Sequence, residues 1–191
     1  MRALFTFVVF VVQVSSVGCF QRASVPEDRY QRALSLVDEG TSLLRERKPR
    51  EAGVLFAMAA ELAPVAAAVD GQGCAALMEG DFKRAEELFE KAYDMDETYD
   101  EALGNLALLK DIQGNSHEAL KLYSKFLETH PDSGVVRNNK AALEYDLGAR
   151  RMLVAEELEK AKRLSEHGVI KDNLEKMSAE FTVETPRLYA R

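Results

Sequence analysis

Hydrophobic residues are laid out along this chain in two patterns. The first is a short run near the N-terminus, Ala3 through Val12 with only Thr6 inside it, preceded by the single charge of Arg2. The second fills the remainder: apolar residues recur at helical spacing, and the stretches end at signals such as Gly80-Asp81 and Gly114-Asn115. There a glycine suited to a helix C-cap precedes a residue suited to the next N-cap. Pro49 opens a helix after the basic turn of residues 45–48. The pattern predicts an all-α chain of helices joined by short turns.

The helical pattern repeats. Gly40 and Gly73 are 33 residues apart, and Ala52, Ala85 and Ala119 follow at spacings of 33 and 34. Phe56, Phe89 and Tyr123 keep those offsets, as do Ala59, Ala92 and Phe126, while Gly80, Gly114 and Gly148 fall 34 apart. The hexapeptide Gly134-Val135-Val136-Arg137-Asn138-Asn139 returns 34 residues later as Gly168-Val169-Ile170-Lys171-Asp172-Asn173. One helical hairpin cannot bury its own apolar face, so units of this length stack on one another. Glycine and alanine belong where axes approach to about 8–10 Å. Leu55, Phe56, Leu88, Phe89, Leu122 and Tyr123 are the predicted filling between units.

These residues resemble the tetratricopeptide repeat. The resemblance implies a right-handed superhelical solenoid of antiparallel helix pairs with a C-terminal capping helix. Three clear units fall at 33–65, 66–99 and 100–133, a degenerate fourth at 134–167, and the capping helix at 168–181, within a domain of 30–181. The family's early Trp is replaced by Leu36, Val69 and Leu103, and in the fourth unit Leu153 stands where a small residue is expected. Residues 182–191, with Pro186, read as a tail.

In that family the first helix of each pair lines a concave groove. Carried over, unit one contributes Leu34, Val37, Thr41, Leu44 and Arg45, and unit two Ala67, Asp70, Cys74, Leu77 and Met78. Unit three contributes Glu101, Gly104, Leu108, Asp111 and Ile112, and unit four Val135, Asn138, Ala142, Tyr145 and Asp146. The basic set with which family members clamp a C-terminal carboxylate is missing. Asp70, Glu101, Asp111 and Asp146 would repel such a group. An amphipathic or basic segment of a partner protein is the complementary ligand. Asn105, Asn139 and Asn173 recur at 34-residue intervals and either bond a ligand backbone or bond a neighbouring loop. Cys74 is either a groove thiol or a small packing residue.

Composition narrows the function classes. Lys plus Arg total 25 against 32 Asp plus Glu, a net charge of −7 that becomes −8 without the first eighteen residues, which hold only Arg2. Such acidity disfavours nucleic-acid binding and adhesion to anionic headgroups. Two cysteines, three histidines and no Trp leave little material for metal or nucleophile chemistry. The acidic run Asp94, Asp96, Glu97, Asp100 and Glu101 has Tyr99 and Asn105 where a calcium loop needs Gly and Glu, so it reads as a solvated turn. No catalytic set, metal site or cofactor is predicted.

The N-terminal layout of charge, apolar run and small residues Ser15-Ser16-Val17-Gly18 predicts a signal peptide at 1–18, a buried strand being the alternative. The run is shorter than the roughly 20 apolar residues of a membrane span. Ser16-Val17-Gly18-Cys19 resembles the lipobox of bacterial lipoproteins, with Ser16 where Leu is preferred. The resemblance implies lipidation of Cys19, followed by a linker over 19–29. Ser16 and Gly18 equally suit cleavage to a soluble exported protein.

The sequence thus predicts a lipid-anchored adaptor or scaffold of the bacterial cell envelope, facing the periplasm, with outer-membrane attachment the favoured placement. It would serve a periplasmic or outer-membrane complex. The alternative is a solute-binding or transporter-accessory protein holding a small hydrophobic ligand, as a monomer or an oligomer.

Overall fold

The computed structural model describes residues 25–166, 168 and 170–175. The expected signal peptide, Cys19, most of the linker, the end of the capping helix and the tail lie outside them. Eight helices follow in order: α1 (Glu27–Arg45), α2 (Pro49–Leu62), α3 (Ala66–Glu79), α4 (Phe82–Met95), α5 (Glu101–Ile112), α6 (Ser116–Thr129), α7 (Gly134–Asp146) and α8 (Arg151–Leu164). Helical backbone resumes at Gly168 and residues 170–175. The first helix starts earlier than a linker ending at residue 29 implies. Pro26 at its N-cap and Glu27 and Asp28 in its first turn favour a helix start there.

Consecutive helices pack as antiparallel pairs. Odd-numbered helices also meet the next odd-numbered one, whereas no even-numbered pair does so among the described residues. The described residues therefore form an all-helical solenoid with the odd helices as its inner layer and the even helices as its outer layer. Phe56, Phe89 and Tyr123 are fully buried at the centres of successive hairpins. Burying rings of this size contributes about 2–3 kcal/mol each.

The glycines matter through those rings. A Cβ at Gly40 would lie 2.8 Å from the Phe56 ring, and one at Gly71 would clash with the same ring. The small residues thus make room for a phenylalanine as well as for a neighbouring backbone. At the hairpin turns Gly80, Gly114 and Gly148 hold φ of 81°, 78° and 85°, and Arg47 takes φ 60° at the first turn.

The fourth unit is a regular hairpin in shifted register. Val154, Leu158 and Ala161 are buried in α8 where Ala119, Tyr123 and Phe126 are buried in α6, a spacing of 35. The turn of residues 147–150 holds one residue more than that of 113–115, and this displaces Leu153 to the surface with 59% exposure. Leu153 therefore does not occupy the small-residue position. Ile170 and Leu174 are buried, and Leu174 packs with Ala141, Val154 and Leu158, covering the end of the stack. No helix among the described residues is long and apolar enough to cross a membrane.

Candidate functional site

A cavity of about 380 Å³ opens on the inner layer and crosses all four hairpins. Its path is diagonal. On α1 it touches Val37, Thr41 and Leu44, towards the C-terminal end of that helix. It passes α3 at Ala67, Asp70 and Cys74 and α5 at Glu101, Gly104, Asn105 and Leu108, from the first turn of each helix to just past its middle. It ends on the first turns of α7 at Val135, Val136 and Asn139.

That diagonal decides which predicted residues come together. Val37, Thr41, Asp70, Cys74, Asn105, Leu108 and Asn139 line the cavity. Leu34 instead packs into the first hairpin's core beside Ala33 and Ala59. Met78 is exposed in a separate surface recess beside Arg47 and Glu79, and Ile112 is exposed at the end of α5. Asp111 accepts a hydrogen bond from the Tyr123 hydroxyl at 3.4 Å, and burial raises its pKa. Asn138 is buried, and Tyr145 packs with Ala141, Val154 and Leu158 in the fourth hairpin.

Five lining residues lay outside the predicted groove positions: Phe56, Gly71, Tyr99, Phe126 and Val136. Phe56 and Phe126 come from the second helices of their pairs, and Tyr99 from the connection before α5. Phe126 breaks a series that has alanine at Ala59 and Ala92. A Cβ at Gly104 would meet its ring at 3.4 Å. That glycine opposite an oversized ring was the signal available in the sequence.

The polar centre of the cavity is Asp70, 5% exposed. Asn105 Nδ2 donates to both carboxylate oxygens at 3.0 Å, and the Tyr99 hydroxyl donates to Oδ2 at 3.1 Å. Burial pushes the Asp70 carboxyl up to about 6 against the pull of these donors, and nearby Glu101 adds to the rise. Desolvation and the Asp70 charge push the Cys74 thiol well above its usual range, keeping it protonated. Cys74 is thus a groove-lining residue that also packs against the Phe89 and Leu106 cluster.

The asparagine series bonds within the protein. Asn105 reaches Asp70 on the helix of the preceding hairpin, and Asn173 Nδ2 donates to Asn138 Oδ1 at 2.9 Å in the same relation. Asn139 accepts from Asn138 at 3.2 Å and hydrogen-bonds Tyr123. The partners are helices, not the neighbouring loops expected from local side-chain bonding. In the acidic turn, Asp96 accepts from the Thr98 amide at 3.0 Å and hydroxyl at 2.6 Å, and Asp100 lies 3.7 Å from His130. No group of three His, Cys, Asp or Glu able to hold a metal occurs among the described residues.

Two family models described as tetratricopeptide repeat match residues 37–100 and 76–143, which together cover more than half of the chain. Pseudomonas aeruginosa PilF is similar in structure, with a TM-score of 0.70 and 19% identity over 82% of this chain and 72% of that one. MamA from Desulfovibrio magneticus RS-1 gives 0.57 and 20% over 79% and 92%. YrrB, described as a TPR protein with an unusual peptide-binding site, gives 0.55 and 16% over 85% and 84%. No curated protein sequence matches the chain.

Proposed function

The chain belongs to the tetratricopeptide repeat family, and on that premise we propose that it is an envelope-anchored adaptor that docks an amphipathic segment of a partner protein in its inner cavity. The observation carrying this reading is the diagonal path of the cavity over four hairpins. Four first helices at about 8–10 Å spacing extend some 25–30 Å, which suits an extended or helical segment better than a compact solute. Val37, Leu44, Leu108 and Phe126 supply apolar contacts along it. The peptide-binding site named for YrrB supports a peptide as the class of ligand.

The anchor is the second part of the proposal. The Arg2 charge, the apolar run to Val12 and the small residues before Cys19 support export, and the partial lipobox supports lipid on Cys19. A lipid anchor needs no basic surface, in agreement with the acidic chain. Assembly or stabilisation of a periplasmic or outer-membrane complex is the role that follows.

A photo-crosslinking residue placed at Val135, on the cavity, and at Val54, on the outer layer, tests docking in cells. An adduct with one defined polypeptide at Val135, lost on Leu108→Trp and missing at Val54, is expected. Adducts at neither site, or equally at both, would contradict it. Labelling by a fatty-acid analogue that vanishes in Cys19→Ser tests the anchor, and no label on the unaltered chain would refute it.

A further inference from the structure

Asp70, Gly104 and Asn138 occupy one repeat position in three successive units, and Asn105, Asn139 and Asn173 occupy the next position of the following units. Where both residues have side chains able to meet, they bond across the hairpins: Asn105 to Asp70 and Asn173 to Asn138. The second of these contacts is made entirely by amides. A carboxylate is therefore unnecessary for stacking, and at Asp70 it carries a desolvation penalty that an amide avoids.

No cation among the described residues offsets that charge. The cavity is lined, among the described residues, by the carboxylates of Asp70 and Glu101 and by no Lys, Arg or His. Among the described residues Asp70 takes part in no ion pair, its partners being the neutral donors Asn105 and Tyr99. Those donors make three contacts to its two oxygens, while an ionised carboxylate has about four lone-pair sites. One acceptor site remains on a buried anion that lines the cavity. Glu101, which raises the Asp70 pKa by repulsion, increases what an incoming positive group would gain.

We infer that Asp70 is the specificity determinant of the cavity, receiving the ammonium or guanidinium of one Lys or Arg that apolar residues flank in the docked segment. The inference rests on the docking role proposed above and names the chemistry that the site selects. The apolar flanks lie against residues such as Val37, Leu108 and Phe126, while the cation descends between them to the carboxylate. A carboxylate so placed rejects an acidic residue at that point and leaves a neutral one without a charged partner.

Random dodecapeptides displayed on phage and selected on the full chain, on Asp70→Asn and on Leu108→Trp provide the test. Asp70→Asn retains an amide contact of the kind seen between Asn138 and Asn173, so the fold is kept, and circular dichroism checks it. Peptides from the unaltered chain are expected to share a Lys or Arg at a fixed place among apolar residues. Those from Asp70→Asn keep the apolar places and lose the cation. A synthetic consensus peptide then binds Asp70→Asn about tenfold or more weakly, while its Lys→Gln form binds both proteins alike. A cation retained on Asp70→Asn, or missing from both selections, overturns the assignment and leaves docking intact. Selection of no peptide, or of peptides indifferent to Leu108→Trp, overturns docking and the assignment with it.

Discussion

Asp70 and Asn138 stand at the same place in hairpins two units apart, and each accepts a hydrogen bond from an asparagine 35 residues further along the chain. Asn138 lies in a closed interface, 2% exposed, and its contact with Asn173 is neutral. Asp70 is almost as buried, yet it is charged and lines a cavity. The two contacts join hairpins in the same way, so their difference separates what stacking needs from what the groove adds. Stacking needs a donor and an acceptor. The anion at Asp70 is an addition, and the rise of its pKa to about 6 is the physical sign of its cost.

Exchanging the two residues tests that separation, and the largest effect is expected at the closed contact. Asn138→Asp puts a carboxylate at a buried place outside the groove cavity and is expected to destabilise the chain at pH 7.5 by about 4 kcal/mol, seen in urea unfolding. The reverse exchange, Asp70→Asn, is expected to stabilise by up to about 3 kcal/mol at that pH. The sign follows from linkage: the folded chain holds the Asp70 proton more tightly than the unfolded chain, whose carboxyl titrates near 3.8. The contribution is therefore fully present below about pH 4 and lost as the pH rises through 6. Unfolding curves of the two proteins should converge at pH 4 and separate between pH 4 and 7. The groups facing Asp70 are Cys74 on α3, Tyr99 on the connection before α5, and Glu101 and Asn105 on α5. Cys74 and Tyr99 are both pushed upward and stay neutral across that window.

Removing the donor sharpens the comparison at smaller scale. Asn105→Ala leaves Asp70 with Tyr99 alone and is expected to cost about 2 kcal/mol at pH 7.5, where the carboxylate is charged. At pH 5 the loss should shrink, because a protonated Asp70 needs less help. The smallest effect belongs to the middle unit, where Gly104 leaves Asn139 without the opposite side chain. Gly104→Asn brings in a Cβ that lies at ordinary contact distance from Phe126. It should change stability by less than about 1 kcal/mol, with the helical gain of losing a glycine on the favourable side.

The in-phase Gly, Ala and Phe positions make the stacked hairpins legible in the sequence, since their spacing has a packing cause. The pairing of Asp70 with Asn105 was not legible. It joins two different repeat positions 35 residues apart, and only the stagger of adjacent helices sets that offset. The same stagger turns the cavity diagonal, which brings in Leu44, Asn105 and Val135 and leaves Met78, Ile112 and Tyr145 aside. In the fourth unit one extra residue in the turn before α8 shifted the register, so Leu153 read as a defect when Val154 takes the buried place. A 34-residue template slides past a one-residue insertion, whereas burial follows the helix face. Phe56 reaches the cavity from the outer layer because Gly71 leaves room for its ring, whereas a Cβ at Gly104 would only touch the ring of Phe126.

The state of the Asp70 carboxyl is the quantity on which the account turns. A carbon-13 NMR titration of the aspartate side chains, with Asp70 assigned by the signal lost in Asp70→Asn, reads it directly in the free protein. Titration near pH 6 is predicted for a buried anion that lacks a counter-charge. Titration at or below the ordinary carboxylate range would mean that water or a cation already serves it, and the case for a ligand's positive group at this point would fall.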